Sequence, residues 1–178
     1  KKRIRVVCGI VFLIFFGLRG YIGTDWYNYQ YWFQEVTTER WLIRAVEPGF
    51  SLLGFIAKFL DLDYSLFQFI VVSLQVFLFD RFMSKFSSNV SLSYVFLVAL
   101  FPIVIIDLLR NFLAILVVIN GLPHLIDNNN RKVFYLYVIA GMAFHLSSIV
   151  FFMLPFIKNK LFDKNILLLL FVVGLIVY

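Results

Sequence analysis

The residues best suited to chemistry are scattered through an otherwise apolar sequence; they are Arg19, Asp25, Glu47, Arg110 and His145. A guanidinium group binds phosphate oxygens through a planar fork of donors. A carboxylate or an imidazole can accept the proton of a hydroxyl group that attacks an electrophile. If these side chains meet on one face of a membrane, they could hold a diphosphate leaving group and deprotonate an acceptor hydroxyl.

Three of these charged residues also have purely structural explanations. Arg19 follows an apolar run, where an arginine commonly extends to the membrane surface as an anchor. Asp25 could be stabilised near a helix N-terminus, with Thr24 as the capping residue. Arg110 comes three residues after Asp107, and this spacing allows an ion pair within one helix. The sequence leaves both kinds of explanation open.

The remaining candidates carry the same ambiguity. Glu47 precedes Pro48-Gly49 and could simply occupy a polar turn before an interfacial helix. His145 lies inside an apolar run, where a single histidine is usually hydrogen-bonded and structural. The other histidine, His124, lies near a predicted inner end and is the weaker candidate for function.

An aromatic segment, residues 26–33, follows Asp25 directly. Tryptophan and tyrosine are typical of the interface between a membrane and water, so the segment could be an interfacial belt. The rings also offer flat apolar surfaces to sugar faces, which makes Trp26, Tyr27 and Tyr29 candidates for sugar binding. One segment could serve both purposes.

The elements that must position these residues are membrane helices. Hydrophobic residues make up 62% of the chain and charged residues 15%, and the mean hydropathy is +0.93. Residues 86–106, 111–126 and 133–157 contain no Asp, Glu, Lys or Arg. Continuous apolar runs of this length indicate spanning helices rather than the alternating strands of a barrel. We therefore expect an all-α, polytopic transmembrane helical bundle that forms a single domain over residues 1–178.

The apolar runs define the expected topology. The predicted spans are residues 4–20, 64–80, 88–107, 111–126, 133–157 and a final run at 165–178. Residues 20–48 form an extracytoplasmic loop, and residues 49–60 form an interfacial or re-entrant helix that is too short to cross. We also expect Ser65 to open a capping box with Gln68, and Pro102 to kink its span.

Basic clusters flank the apolar runs and set the orientation. With the N-terminal cluster inside, a single crossing by residues 133–157 divides Lys and Arg equally between the two sides. A break near His145 that returns the chain to the inner side gives the inside a clear excess. The distribution of Lys and Arg favours a span that breaks near His145. A segment of 25 residues is short for two crossings, however, so both arrangements stay open.

Composition also excludes several classes of site. The formal net charge of +6 is largely concentrated beside apolar runs, so we expect no nucleic acid partner. The single cysteine, Cys8, cannot form an intrachain disulfide, and two histidines without ligand spacing predict no metal site. The expected partner at this stage is the lipid bilayer.

The order of the motifs resembles the EpsG family of bacterial exopolysaccharide proteins, which are related in kind to Wzy-like polysaccharide polymerases. The segments that carry the resemblance are Arg19, Gly23-Thr24-Asp25 with Tyr27 and Tyr29, Glu47-Pro48-Gly49-Phe50, Arg110-Asn111-Phe112-Leu113-Ala114, and Ala143-Phe144-His145-Leu146-Ser147-Ser148. Family members often have Arg-Gln where this chain has Arg110-Asn111, and they are usually longer. The resemblance therefore implies an N-terminal fragment of a longer, GT-C-like membrane protein.

The resemblance also implies a function. The protein would polymerise or transfer undecaprenyl-diphosphate-linked oligosaccharide repeat units for exopolysaccharide, capsule or O-antigen, at the outer face of the bacterial cytoplasmic membrane. Arg19 and Arg110 would bind the diphosphate, and Asp25, Glu47 and His145 would be the catalytic candidates. No cofactor or metal is implied, and other polysaccharide export proteins are expected partners. The alternatives are a transporter or flippase for lipid-linked sugar, a non-catalytic subunit of an export complex, and another membrane transferase such as an acyltransferase.

Overall fold

The apolar runs form helices wherever the structure describes them. The computed structural model describes residues 2–36, 47–100, 108–127 and 130–157, and no β-strand is present among them. The helices are α1 (Lys2–Gly17), α2 (Trp26–Glu35), α3 (Pro48–Phe59), α4 (Tyr64–Phe86), α5 (Val90–Leu100), α6 (Leu109–Ile119), α7 (Leu122–Ile126), α8 (Arg131–Phe144), a 3₁₀ helix (Leu146–Met153) and α9 (Leu154–Ile157). The predicted all-α class is confirmed for the described residues.

Two segments are long and apolar enough to cross a membrane, judged on length and composition within the described residues: Tyr64–Phe86 and Leu109–Ile126. The crossing of the other predicted spans, and the GT-C-like architecture, stay predictions. Pro102, Asp107 and the final run at 165–178 lie outside the described residues.

The predicted capping box at Ser65 is wrong. Helix α4 begins one residue earlier, and the carboxylate of Asp63 caps it by accepting a hydrogen bond of 2.8 Å from the Leu66 amide. An aspartate at the N-cap satisfies an amide that the helix cannot pair internally. Gln68, the expected partner in the box, therefore remains available for another contact.

Helix α4 packs against α1, α5 and α6. Three buried amide side chains link α4 to α1 and α6: Gln68 and Gln75 on α4, and Asn120 at the end of α6. Gln75 Nε2 donates to the Leu109 carbonyl at 2.9 Å, and Asn120 Nδ2 donates to the Leu78 carbonyl at 2.9 Å. Both ends of α6 are thus hydrogen-bonded to α4.

Gln68 fixes the C-terminal end of α1. Its Nε2 lies 3.1 Å from the Gly17 carbonyl and 2.9 Å from the Arg19 carbonyl. The last carbonyls of a helix have no partner inside the helix, so a buried donor from a neighbouring helix is an effective substitute. The contact sets where the chain leaves α1 and approaches α2.

The space between the helices is filled mainly by aromatic rings. Phe67 on α4 stacks against Phe33 of α2, with the ring centres 4.9 Å apart, and meets Phe50 of α3 edge-on at 5.6 Å. A smaller apolar cluster, formed around Val118, Phe134 and Val138, joins α6 to α8. The close contact there requires Gly141, because a Cβ atom at this position would lie 2.5 Å from Val118 Cγ2.

The fold predicts that Gln68→Leu lowers the free energy of unfolding. The substitution keeps the side-chain volume but leaves the end of α1 without its donor, at an expected cost of about 1–2 kcal/mol. The cost stays small because Gln68 Oε1 has no hydrogen-bond partner among the described residues. Unfolding of the purified protein in detergent measures it. Gln34→Leu on the exposed part of α2 is the control, and equal unfolding of both variants would contradict the role of Gln68.

Candidate functional site

Glu47 is the centre of the candidate site. It directly precedes α3, where Pro48 occupies the first turn and needs no amide partner. The Glu47 carbonyl accepts a bond of 3.1 Å from the Ser51 amide, but the Glu47 side chain does not cap the helix. That side chain is only 9% exposed. Its two oxygens are therefore left to bind groups from other helices.

Arg110 supplies the first of these groups. It lies in the first turn of α6, and its Nη1 is 2.6 Å from Glu47 Oε2. The guanidinium carbon also lies 5.2 Å from the ring centre of Tyr29 and 5.8 Å from that of Phe50. Aromatic faces attract a cation at these distances. The arginine is thus held in place by a carboxylate and by two rings.

His145 supplies the second group. Helix α8 ends at Phe144, and His145 has an extended backbone with φ −158° and ψ 128° before the 3₁₀ helix begins. Its amide still donates to the Gly141 carbonyl at 2.9 Å. This geometry directs the ring toward α3, where Nδ1 is hydrogen-bonded to Glu47 Oε1. The sequence separation between the two residues is 98.

Close packing of α3 against α8 makes this contact possible. At Gly49 a Cβ atom would lie 2.9 Å from the carbonyl oxygen of Ala143 and 3.1 Å from its Cβ. Such separations leave no room for a side chain. Glu47 and His145 each lie two residues from this contact, so the glycine sets their distance from one another.

A second link holds the segment after His145. Ser147 Oγ donates to Asn111 Oδ1 at 3.1 Å. Asn111 follows Arg110 on α6, so this bond fixes the histidine segment to the same helix that carries the arginine. Neither residue is among the candidates predicted from the sequence, although both lie within the motifs around Arg110 and His145.

Asp25 approaches the cluster from α2. It occupies the N-cap position of α2 without a side-chain cap, and it accepts a bond of 3.3 Å from Asn28 Nδ2. These two residues, with Tyr29, Trp32 and Arg110, line a small cavity of about 140 Å³. Arg110 therefore connects the cavity to Glu47. His145 does not line the cavity and reaches the cluster through Glu47.

The aromatic candidates have different environments. Trp26 is buried edge-on against Tyr64 with the ring centres 5.3 Å apart, whereas Tyr27 is 60% exposed. Tyr29 is buried beside Arg110, and burial raises the pKa of its hydroxyl more than the neighbouring cation lowers it. The Tyr29 hydroxyl therefore keeps its proton at neutral pH. Sugar binding by these rings stays a prediction.

Arg19 is placed away from this cavity. It is buried beyond the end of α1, where its carbonyl accepts the bond from Gln68, and it does not line the cavity that Arg110 lines. His124 stacks on Tyr137 in the contact between α7 and α8, with the ring centres 5.7 Å apart. Among the described residues, no cluster of His, Cys, Asp and Glu could hold a metal ion.

Comparison with known proteins supports the resemblance seen in the motifs. The sequence model of the EpsG family matches residues 2–178. The chain belongs to the EpsG family. This membership makes it a membrane protein of exopolysaccharide biosynthesis. No curated protein and no solved structure matches the chain.

The site predicts that this EpsG-family chain does not tolerate Gly49→Ala. Alanine is the better helix former by about 1 kcal/mol, yet forcing a methyl group against Ala143 costs about 1–3 kcal/mol. We expect a net loss of up to about 2 kcal/mol in the free energy of unfolding, measured in detergent, because the methyl group pushes the start of α3 away from the end of α8. Gly20→Ala is the matched control, because nothing lies within 4 Å of a Cβ atom there. Equal behaviour of both variants would contradict the close contact.

Proposed function

We propose that this EpsG-family protein transfers undecaprenyl-diphosphate-linked oligosaccharide repeat units to a growing chain at the outer face of the bacterial cytoplasmic membrane. The observation that carries the proposal is the buried Glu47 carboxylate, which binds Arg110 through one oxygen and His145 through the other. An imidazole oriented by a carboxylate is a general base, and an adjacent guanidinium suits a diphosphate leaving group. The polysaccharide role of the family supplies the class of substrate.

Glu47 has a positioning role in this proposal. In the neutral tautomer with the proton on Nδ1, His145 donates to Glu47 Oε1, and its Nε2 is then available to accept a proton. The carboxylate fixes the tautomer and stabilises the imidazolium that forms, as in other histidine–carboxylate pairs. The Glu47 side chain is buried and each of its oxygens already binds a neighbouring side chain, so His145 takes the role of base.

Arg110 retains donors for the substrate. A guanidinium group has five N–H donors, and the hydrogen bond to Glu47 uses only Nη1. The cavity beside it has a volume of about 140 Å³, which is below the roughly 300–1,000 Å³ typical of a pocket for a whole small molecule. We infer that the cavity holds a phosphate group or part of one sugar, with Asp25 and Asn28 binding a hydroxyl.

The proposed reaction is a glycosyl transfer. The acceptor hydroxyl oxygen forms a bond to the anomeric carbon of the donor, and its proton passes to His145 Nε2. The bond between that carbon and the phosphate oxygen breaks, and the undecaprenyl diphosphate leaves with the electron pair. Arg110 stabilises the charge that develops on the diphosphate. Arg19 stays a proposed second contact for this group.

Reconstitution tests the assignment of the base and of the diphosphate contact. We expect vesicles that contain the protein to extend undecaprenyl-diphosphate-linked repeat units. His145→Gln should slow this reaction by about 10²–10⁴-fold, as for loss of a general base. Arg110→Lys should also slow it, because an ammonium group does not replace a planar fork.

Two controls make the same substitutions elsewhere: His124→Gln at the contact between α7 and α8, and Arg81→Lys on the exposed face of α4. Neither should change the rate. Normal extension by both His145→Gln and Arg110→Lys would refute the site. Loss of extension in Asp25→Asn but not in His145→Gln would instead identify Asp25 as the base.

Acyl transfer is a second candidate, favoured by the contact between His145 and Glu47. His145 has no acid beside it in the sequence, but the fold supplies one from α3. The same base could deprotonate a sugar hydroxyl that attacks a thioester. Incubation of the vesicles with an acyl thioester and the repeat unit separates the two reactions, because only acyl transfer adds the acyl mass without lengthening the sugar chain.

A further inference from the structure

A second polar site lies at the opposite end of α4 from the candidate active site. Arg5 of α1 binds Asp80 of α4 through Nε, which is 2.7 Å from Oδ1, and through Nη2, which contacts Oδ2. Asp80 is 13 residues beyond Phe67, which corresponds to about 20 Å along α4. The Phe67 ring contacts the Phe50 ring, which lies near the Arg110 guanidinium. The cavity beside this pair shares no lining residue with the cavity that Arg110 lines.

The second site carries excess positive charge. Lys2 lies three residues before Arg5 and thus on the same face of α1. Asp80 is occupied by Arg5, and Lys2 has no ion pair among the described residues. Both cations line a cavity of about 350 Å³. A cavity with an unneutralised lysine at its edge is suited to a ligand with one negative charge.

Hydroxyl groups complete the polar lining. Ser84, Ser87, Ser88 and Ser91, from the end of α4, the following turn and the start of α5, lie around the same cavity. The Ser87 oxygen accepts bonds from the Asn89 amide and from Ser93 Oγ, and its own proton remains available to a ligand. Hydroxyl donors beside a lysine and an arginine are groups that bind the oxygens of a phosphodiester.

An apolar groove continues from this cavity along α1. It also has a volume of about 350 Å³, it shares Lys2 and Arg5 with the polar cavity, and it is lined by Val6, Ile10, Leu13 and Phe77. Residues 2–13 extend about 16 Å at the helical rise, close to half of the roughly 30 Å hydrocarbon thickness. The groove therefore matches the depth of one leaflet.

The geometry points to a binding site for one anionic phospholipid. Its phosphodiester would lie among Lys2, Arg5 and the serine hydroxyls, and one acyl chain would lie in the groove beside Ile10 and Phe77. The positive charge at the cavity selects an anionic lipid over a zwitterionic one, and the apolar groove selects a lipid over a soluble phosphate. The site does not depend on the glycosyl-transfer proposal, because it shares no residue with the candidate active site.

Lipid binding to the purified 178-residue chain tests the site by native mass spectrometry. We expect phosphatidylglycerol to bind at least about fivefold more tightly than phosphatidylcholine, the effect of roughly one basic residue near an anionic lipid. Lys2→Gln should abolish this preference. Lys58→Gln at the other end of the bundle removes the same charge and should preserve it. Equal binding of the two lipids by the unsubstituted protein, or equal preference in both variants, would overturn the proposal.

The acyl groove has its own pair of variants. Ile10→Trp fills the groove and should weaken phosphatidylglycerol binding, whereas Ile14→Trp, equally exposed on α1 but outside the groove, should not. Glycerol phosphate, the soluble equivalent of the headgroup, should fail to displace the lipid. Displacement by glycerol phosphate, or equal binding by the two tryptophan variants, would show a soluble-anion site and overturn the lipid assignment.

Discussion

The candidate site depends on the neutralisation of one buried carboxylate. Removing Glu47 from water is costly unless both oxygens are bound, and the described residues supply one partner from α6 and one from the end of α8. Three segments must therefore meet at a single side chain. The close contact of Gly49 with Ala143 allows this, because it brings the start of α3 against the end of α8.

Hydrogen bonds from α4 give the neighbouring helices their positions. In lipid, the hydrophobic effect does little to hold helices together, so small residues and interhelical hydrogen bonds become more important. Gln68 binds the end of α1, while Gln75 and the Leu78 carbonyl bind the two ends of α6. Arg110 directly follows Leu109, whose carbonyl accepts the hydrogen bond from Gln75. The hydrogen bond from Gln75 thus helps to place the start of α6, and with it the backbone of Arg110, against α4.

The sequence identified residue types but not their partners. Apolar runs predicted the helices, and the cost of burying charge singled out Glu47, Arg110 and His145. Spacing along the chain suggested a capping role for Gln68 and a partner for Arg110 in Asp107, which lies outside the described residues, because only local pairs can be inferred from spacing. In the structure, Arg110 binds Glu47, which is 63 residues away in the sequence. Gln68 binds the end of α1, about 50 residues away. Only helix packing brings such residues together, so these pairs cannot be inferred from a local sequence pattern.

Two arginine–carboxylate pairs within the part of the chain that the structure describes show why one is a better candidate for catalysis. Arg5 binds both oxygens of Asp80 through Nε and Nη2, so one complete edge of its guanidinium is occupied and the pair mainly joins α1 to α4. Arg110 binds Glu47 through Nη1 alone, because the second oxygen of Glu47 is occupied by His145. Because His145 shares the carboxylate, Arg110 keeps N–H donors that do not bind Glu47, and Arg110 also lines the small cavity. An arginine held by one carboxylate oxygen and two aromatic rings, with donors remaining, is what recognition of a phosphate group requires.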